Sequence, residues 1–329
     1  MANIAHLINR IRRAAHVFRT RAPFYLFVVV MLVSGGLSLV SCGESYEERQ
    51  RITRAERQRL AREDSAALKV GVLPTLDCLP IYLAKERRLF DTLGVDIRPK
   101  QFTSQLDCQE ALKKGSIEGG VTDLVRAERM IRRGTPLQYM TATNTYWQMV
   151  SNRMARVKEL KQMVDKMVAI TNHSATDMLT QMWIDSCKLK QTDVFRIPVN
   201  DVHVRMLMLH NNEMDAVMLT EPQATEAQLF KHSVLRDSRK SDLRLGAIVF
   251  RSKDLTDKNR SKQYKAFVKA YNQACDSINQ KGLQHYAGLI EKYMKADEKV
   301  IKALPKLRFE HASQPRQKDI EAARKWLGK

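Results

Sequence analysis

The sequence predicts an α/β protein of two lobes, each built on a mainly parallel sheet flanked by helices. The first observation is a strand–loop–helix–strand unit between Leu68 and Phe102. The second is an αβ alternation that continues from this unit in two successive series, to about residue 250. The third is composition: 44% of the 329 residues are hydrophobic and only 13 are Gly and 9 Pro. This composition favours an ordered globular body over a disordered chain.

The first unit sets the geometry of the predicted sheet. An alternating apolar run from Leu68 to Val72 predicts a strand, Pro80 favours a helix start, and Gly94 turns the chain into the next strand. A strand–helix–strand unit joins parallel strands. The loop after the first strand should therefore lie at the carboxyl edge of the sheet, where open α/β sheets bind ligands.

The remaining elements follow in two series. In the first series we predict a helix over 104–114, a strand over 119–121, a helix from 122 to 133, and strands over 137–144 and 146–151. In the second we predict helices over 157–164, 174–189, 202–210 and from 221, with strands over 167–170, 194–199 and 216–219. A return strand over 243–250 and charged helices over 260–329 complete the chain. The predicted domains are a first lobe over 68–150, a second over 151–242, and a return to the first lobe over 243–329.

Residues 1–41 predict an export signal that is not part of the fold. Five arginines and no acidic residue accompany an apolar run from Phe24 to Val33. Leu39-Val40-Ser41-Cys42 resembles the lipobox of bacterial lipoproteins, which implies that Cys42 is lipidated and becomes the mature amino terminus. An uncleaved signal anchor is the alternative, because residues 24–40 are almost long enough to span a bilayer. Residues 42–67, dense in Glu and Arg, predict a polar tether.

The charge pattern argues against a nucleic-acid partner. The formal net charge is +20, but the basic residues are scattered along predicted helices, as at Arg87-Arg88 and Lys113-Lys114. Aromatic residues are not interleaved with them as on single-strand binders. This pattern is typical of solvated helix faces and also suits a nearby anionic lipid surface.

Enzyme and metal signatures are mostly missing from the sequence. It contains no phosphate-binding Gly-rich loop, no GxSxG elbow and no HExxH motif. His203 and His210 would share a helical face, but no acidic third ligand stands at a suitable spacing. We therefore predict a protein that is not an enzyme and holds neither a metal nor a cofactor.

Three further motifs extend the first unit into a resemblance to a known family. They are Gly119-Gly120-Val121-Thr122-Asp123, the strand Met167–Ile170 leading to Asn172-His173-Ser174, and the segment from Ala216 to Pro222. With residues 69–97 they resemble ABC-transporter substrate-binding proteins of the type II periplasmic fold. Within that group the chain is similar to the branch for nitrate, sulfonate, taurine and the pyrimidine precursor of thiamine. The resemblance covers roughly Leu68 to the carboxyl terminus.

Polar residues after the predicted strands are the candidate ligand contacts, because parallel strands deliver such loops to one edge. The candidates are Thr75, Asp77, Thr122, Asp123 and Asn144 in the first lobe, and Asn172, His173, Ser174 and Glu221 in the second. Ordinary helix capping is the alternative for each. Helix starts suit an anion, but the carboxylates would favour an amine or a protonated heteroaromatic ring, which could stack on Tyr146 or Trp147.

The cysteines leave two possibilities open. Cys78 follows the first predicted strand and Cys108 lies near the start of the helix after the second, so both lie near strand ends that are close in a parallel sheet. In an exported chain they could form a disulfide, or they could be two buried thiols.

The function implied by the resemblance is capture of a small polar or heteroaromatic solute by lobe closure, for delivery to an ABC importer. The expected partners are this solute, a membrane permease and the lipid anchor of a monomeric protein in a bacterial cell envelope. Two alternatives remain. Some menaquinone-biosynthesis enzymes resemble these binding proteins, and a sensor domain without transport could share the fold.

Overall fold

The computed structural model describes residues 54–328. The predicted signal sequence, Cys42 and the first part of the tether lie outside these residues. The described part of the tether is a helix, α1 (Arg54–Ala66). The compact unit that carries both sheets begins at Glu63. Among residues 54–328, no helix is both long enough and apolar enough to cross a membrane.

Before the chain first crosses to the second sheet, its strands and helices alternate as predicted. They are β1 (Leu68–Val72), α2 (Leu79–Glu86), α3 (Leu89–Thr92), β2 (Ile97–Gln101), α4 (Gln105–Lys114), β3 (Gly119–Asp123), α5 (Leu124–Arg132) and β4 (Leu137–Ala142).

The second series of elements builds another sheet. It comprises β5 (Gln148–Ser151), β6 (Lys166–Ile170), α6 (Ala175–Ser186), β7 (Val194–Pro198), α7 (Val202–His210), β8 (Ala216–Leu219), α8 (Gln223–Leu229) and β9 (Ser233–Asp237). The chain then returns through β10 (Gly246–Arg251) and ends in helices. These are α9 (Ser252–Leu255), α10 (Lys258–Lys281), α11 (Ala287–Met294), α12 (Glu298–Ala303) and α13 (Gln317–Leu327).

Each sheet has five strands, in the orders β2-β1-β3-β10-β4 and β7-β6-β8-β5-β9. In the first sheet β1 runs parallel to β2 and β3, and β10 runs antiparallel to β3 and β4. In the second, β6 runs parallel to β7 and β8, and β5 runs antiparallel to β8 and β9. The α/β fold with two lobes is confirmed, and each sheet is mixed because one strand runs against its neighbours.

The antiparallel strands have a topological cause. The chain crosses between the sheets over residues 143–147 and again over 238–245. Each crossing delivers the chain to the edge at which the parallel strands end, as the pairing of Gln148 with Leu219 and of Gly246 with Asp123 shows. A strand that starts at this edge must run away from it, and it is therefore antiparallel to the strands that end there.

The predicted domain boundaries stay predictions. The boundary after residue 150 falls inside β5, which pairs within the second sheet, so a division by strand membership would place it before Gln148. The boundary after residue 242 falls inside the second crossing.

Aromatic rings of the first sheet and of α2 pack against the carboxyl-terminal helices in the core of the first lobe. The Phe250 ring lies edge-on to the Phe267 ring of α10, with centroids 5.4 Å apart. The Tyr82 ring stacks on Tyr293 of α11 at 4.0 Å. Burial of such rings is a large contribution to the stabilisation of a core.

Candidate functional site: a cleft between the lobes

A small cavity lies where the carboxyl ends of the parallel strands of both sheets meet. Its volume is about 50 Å³, and since one water needs roughly 10–15 Å³ of such space, it has room for a solute of a few non-hydrogen atoms. The first lobe and the crossing contribute Leu73, Pro74, Thr75, Asp77, Thr103, Gln105, Val121, Thr122, Thr145 and Trp147. The second lobe contributes Thr171, Thr176, Asn200, Val202, Arg205, Met218 and Thr220.

Direct hydrogen bonds join the two lobes around this cavity. The Leu76 N–H donates to the Glu221 carbonyl at 2.9 Å, and the Gln223 side-chain amide donates to the Pro74 carbonyl at 3.0 Å. On another side the Ala175 N–H donates to the Asp123 carboxylate at 3.0 Å. The structure therefore shows the lobes in a closed arrangement.

Arg205 is the principal charged group of the cavity. It stands in α7, an otherwise mostly apolar helix, and is only 5% exposed. Its Nε–H donates to the Val199 carbonyl at 2.7 Å and Nη1 to the Met218 carbonyl at 2.9 Å, while Nη2 donates to the Thr171 hydroxyl. Burial, with a smaller effect from Arg126, lowers the pKa of Arg205 to about 9.

These partners of Arg205 are all neutral. Within residues 54–328, no carboxylate forms an ion pair with it. A guanidinium has five N–H groups, and three are engaged in these bonds, which leaves two. A buried charge is costly unless it is paired. Arg205 thus offers a positive charge and free donors to an anion in the cavity.

Asp77 is the carboxylate that lines the same cavity. It accepts hydrogen bonds from the hydroxyls of Thr75, at 2.6 Å, and Thr143, at 3.0 Å. Burial raises the pKa of Asp77, and these two hydrogen bonds oppose the shift. Asp77 is therefore already satisfied by the protein and presents less negative charge to the cavity than a free carboxylate would.

Three of the predicted site residues, Thr75, Asp77 and Thr122, line this cavity. Asn144 lies on the crossing, donates to the Arg308 carbonyl at 3.0 Å, and lines a different cavity beside the crossing. Asn172 and His173 are exposed. The structure thus does not gather these residues in one place.

The other three predicted residues are helix caps or contacts between elements. Ser174 is buried and caps α6, accepting from the Thr176 N–H at 3.1 Å. Asp123 caps α5 and also accepts from the second lobe. Glu221 accepts from the Tyr146 hydroxyl at 2.5 Å and from the Thr225 N–H at 3.0 Å. As ligand contacts all nine residues stay predictions.

The aromatic side chains also differ in their availability to a ligand. The Arg239 guanidinium lies 4.1 Å from the centroid of the Tyr146 ring, and the Tyr146 hydroxyl is held by Glu221. Burial, followed by the charge of Glu221, raises the pKa of Tyr146. Trp147 lines the cavity, whereas Tyr146 is already covered by the protein.

We predict that Glu221 acts in stability and not in ligand contact. Glu221→Ala removes an acceptor from Tyr146 and Thr225 in a buried place, and should lower the free energy of unfolding by about 1–3 kcal/mol. Urea unfolding would measure this change. Glu213→Ala, at an exposed position, is the matched control and should change stability by less than about 0.5 kcal/mol. An unchanged stability together with a large loss of ligand affinity would return Glu221 to the site.

The structure contradicts the predicted disulfide, because Cys78 and Cys108 are both free and buried. The Cys78 sulfur accepts from the Leu73 N–H at 3.3 Å. The Cys108 sulfur packs against the sheet so closely that a Cβ on Gly71 would lie 2.5 Å from it. The chain moves from β1 outward to β2 and back to β3, so right-handed crossovers place α2 and α4 on opposite faces. Burial raises the pKa of the Cys108 thiol to about 12.

Sequence reasoning missed Arg205, Asn200 and the threonines at 103, 145, 171, 176 and 220. Threonine after a strand is too common to stand out. Arg205 did carry a signal, since it is the one permanently charged residue between Val202 and Leu209. Such a residue either faces solvent or occupies a special buried position. Among residues 54–328, no group of three or more His, Cys, Asp or Glu side chains could hold a metal ion.

Comparisons with known proteins bear on the fold. The model of a family described as NMT1-like matches residues 61–290. Among curated proteins, no sequence matches the chain at a significant level.

Solved structures of two groups of binding proteins are similar to this fold. The alkanesulfonate-binding protein SsuA of Xanthomonas axonopodis pv. citri, bound to MOPS, is 15% identical, with a TM-score of 0.69, covering 80% of this chain and 91% of its own. SsuA of Escherichia coli is 17% identical, with a TM-score of 0.65 and coverages of 80% and 87%. The nitrate-binding protein NrtA of Synechocystis PCC 6803 is 16% identical, with a TM-score of 0.64 and coverages of 77% and 74%. The predicted periplasmic binding protein fold is confirmed.

Proposed function

The chain belongs to the NMT1-like family, and on that premise we propose that it captures a small anionic solute for an ABC importer. It does so as a lipid-anchored binding protein of a bacterial cell envelope, by closing its two lobes over the solute. The single observation that carries the anionic character of the solute is Arg205. This arginine is buried at the cavity with two N–H groups free and without a carboxylate partner among residues 54–328.

The lining of the cavity supports an oxyanion. Threonine hydroxyls line the cavity together with Arg205. Two of them from opposite sides of the cleft, Thr145 and Thr220, are 2.9 Å apart. Hydroxyls and guanidinium N–H groups are the donors that oxyanions accept in dry sites. The structural neighbours include proteins named for binding sulfonate and nitrate, which is in keeping with this assignment.

The carboxylates no longer oppose such a ligand. Glu221 does not line the cavity and is held by Tyr146 and Thr225. Asp123 accepts two backbone N–H groups away from the cavity. Asp77 remains, but two threonine hydroxyls satisfy it and its pKa is raised. An amine or a heteroaromatic cation would instead have to approach Arg205 in a cavity of about 50 Å³, where the like charges repel each other.

Lipidation at Cys42, a permease partner and a monomeric state complete the proposal. They rest on the lipobox, on the family and on the two-lobed fold. A neighbouring permease and ATPase gene pair would distinguish transport from a sensor role.

A panel of small solutes tests the charge of the ligand. We expect one or more of nitrate, sulfate, methanesulfonate, formate and bicarbonate to raise the melting temperature in a chloride-free buffer. A solute at about 100 times its Kd adds about 2.7 kcal/mol of stability, and calorimetry would then give the affinity. Methylammonium and imidazolium should have no effect. Stabilisation by these cations alone would overturn the anionic assignment.

Recovery of the solute tests the alternative of an enzyme on the same fold. A binding protein should release its solute chemically unchanged after prolonged incubation, as measured by mass spectrometry. A product that accumulates beyond the protein concentration would show turnover.

A further inference from the structure

Asp123 makes an unusual contact between the two lobes. It belongs to the first lobe, at the end of β3, and it is 0% exposed. Its Oδ1 accepts from the Arg126 N–H of its own helix and from the Ala175 N–H at the start of α6, both at 3.0 Å. The second of these bonds exists only while the lobes are together.

The other oxygen of this carboxylate is unsatisfied. Oδ2 is buried and accepts no hydrogen bond from residues 54–328, and the Nε–H of Arg126 is likewise buried without a partner. These two atoms are 3.9 Å apart, which is too long for a hydrogen bond. Arg126 is turned instead toward Gln109, to which its Nη1 donates at 2.5 Å. In the closed arrangement this carboxylate is therefore buried, and only one of its two oxygens accepts hydrogen bonds.

We propose that Asp123 is a proton-sensitive latch between the lobes, and that the cleft closes more readily when this carboxyl group is protonated. The inference rests on the proposed opening and closing of the cleft. In an open form, water would reach Oδ2. Closure removes that water and supplies no donor in its place, so a proton on the carboxyl relieves the buried charge.

The direction of the pH effect follows from linkage. Burial, partly opposed by Arg126, raises the pKa of Asp123 from 3.8 to about 6 in the closed structure. A group whose pKa is raised by closure favours the closed form as pH falls through the raised value. The closed-to-open ratio should be nearly constant above about pH 6.5 and should rise by about tenfold between pH 7 and pH 5.

Other charged and titratable groups surround Asp123, and they must be separated from it. Arg126 on α5 and Tyr139 on β4 interact with Asp123 directly. Cys108, Arg129, His173 and Arg205 interact with Arg126, and Asp177 interacts with His173. His173 is the one whose ordinary titration falls close to this range. Although the His173 side chain is largely exposed, its partial desolvation and then the charge of Arg129 lower the pKa of His173. Protonation of His173 therefore opposes closure. Its effect on the closed-to-open ratio has the opposite sign to the effect of protonating Asp123.

Hydrogen–deuterium exchange of the full chain in detergent tests the latch without any solute. The amide of Ala175 donates to Asp123 across the closed cleft, so peptides containing it report closure. At pH 7 this amide should exchange faster in the wild type than in Asp123→Asn, whose neutral side chain keeps the Oδ1 acceptor. The ratio of the two exchange rates, wild type over Asp123→Asn, should fall by up to about tenfold between pH 7 and pH 5. Comparing the two proteins at the same pH cancels the intrinsic pH dependence of exchange.

Two further variants make the result decisive. Asp123→Ala, which lacks the acceptor, should exchange fast at every pH, and thermal melts would verify that each variant is folded. His173→Gln should keep the wild-type trend. A wild-type to Asp123→Asn ratio that is constant with pH, or a trend that disappears in His173→Gln, would overturn the latch. Because no solute is used, this outcome is independent of whether the anion panel succeeds.

Discussion

Replacing Arg205 with methionine is expected to lower the affinity for the captured anion by about a hundredfold or more. Two N–H groups of the guanidinium are free to bind the anion, and a hydrogen bond to a charged group contributes about 1.5–3 kcal/mol. Loss of two such bonds therefore costs roughly 3 kcal/mol or more, and each 1.4 kcal/mol is about a factor of ten in Kd. Calorimetry with the anion identified by the panel would measure this change.

The same experiment has two controls within the chain. Arg196→Met removes an arginine of the same lobe that pairs with Asp177 at 2.9 Å and does not line the cavity, so affinity should stay within a few-fold. Arg205→Lys keeps the charge but loses the planar fork of donors, and should give an intermediate affinity. The methionine variant leaves the Val199 and Met218 carbonyls without their donor, so a thermal melt must show that it is folded. Wild-type affinity in folded Arg205→Met would exclude Arg205 from the site.

Replacing Cys42 with alanine is expected to abolish lipid attachment completely. The lipobox resemblance implies that the acyl-bearing group is joined to the sulfur of Cys42, so the effect should be all or none. Radiolabelled palmitate should enter the wild-type protein and not the variant, which should persist as a longer precursor. The protein would then lose the stable anchoring that two or more acyl chains provide.

A cysteine elsewhere provides the control for that experiment. Cys187 is partly exposed, and Cys187→Ala should incorporate palmitate at the wild-type level. Equal labelling of Cys42→Ala and the wild type would contradict the lipoprotein assignment and favour the uncleaved signal anchor.

Local sequence patterns determined the order and position of most helices and strands. They missed β9, and they predicted a helix over 157–164 where the structure has only a 3-10 turn at Leu160–Met163. The alternation from Leu68 to Val72 became β1, and the run predicted as a strand over 167–170 became β6, which starts at Lys166. Asp123 and Ser174 cap α5 and α6, as their positions before the predicted helices indicate. These features depend on periodicity and on hydrogen bonds within a few residues, so a single sequence carries them.

The resemblance added the overall fold, since an ordered series of motifs specifies a connectivity that no single motif does. It predicted two lobes and a cleft at the carboxyl edges of the strands. It did not reveal that β5 and β10 run against their neighbours, which depends on where the chain crosses between the sheets.

Only the tertiary structure decided which polar residues share the cleft. Asp123 and Glu221 both follow strands, as predicted, yet one faces the other lobe and the other faces Tyr146. Arg205 lies within a helix rather than after a strand, and its guanidinium reaches the cavity because α7 packs with that side against β8. Cys78 and Cys108 are both buried free thiols, although both follow strand ends. The direction of a side chain at a closed interface depends on contacts between residues distant in the chain, and periodicity and capping do not encode these contacts.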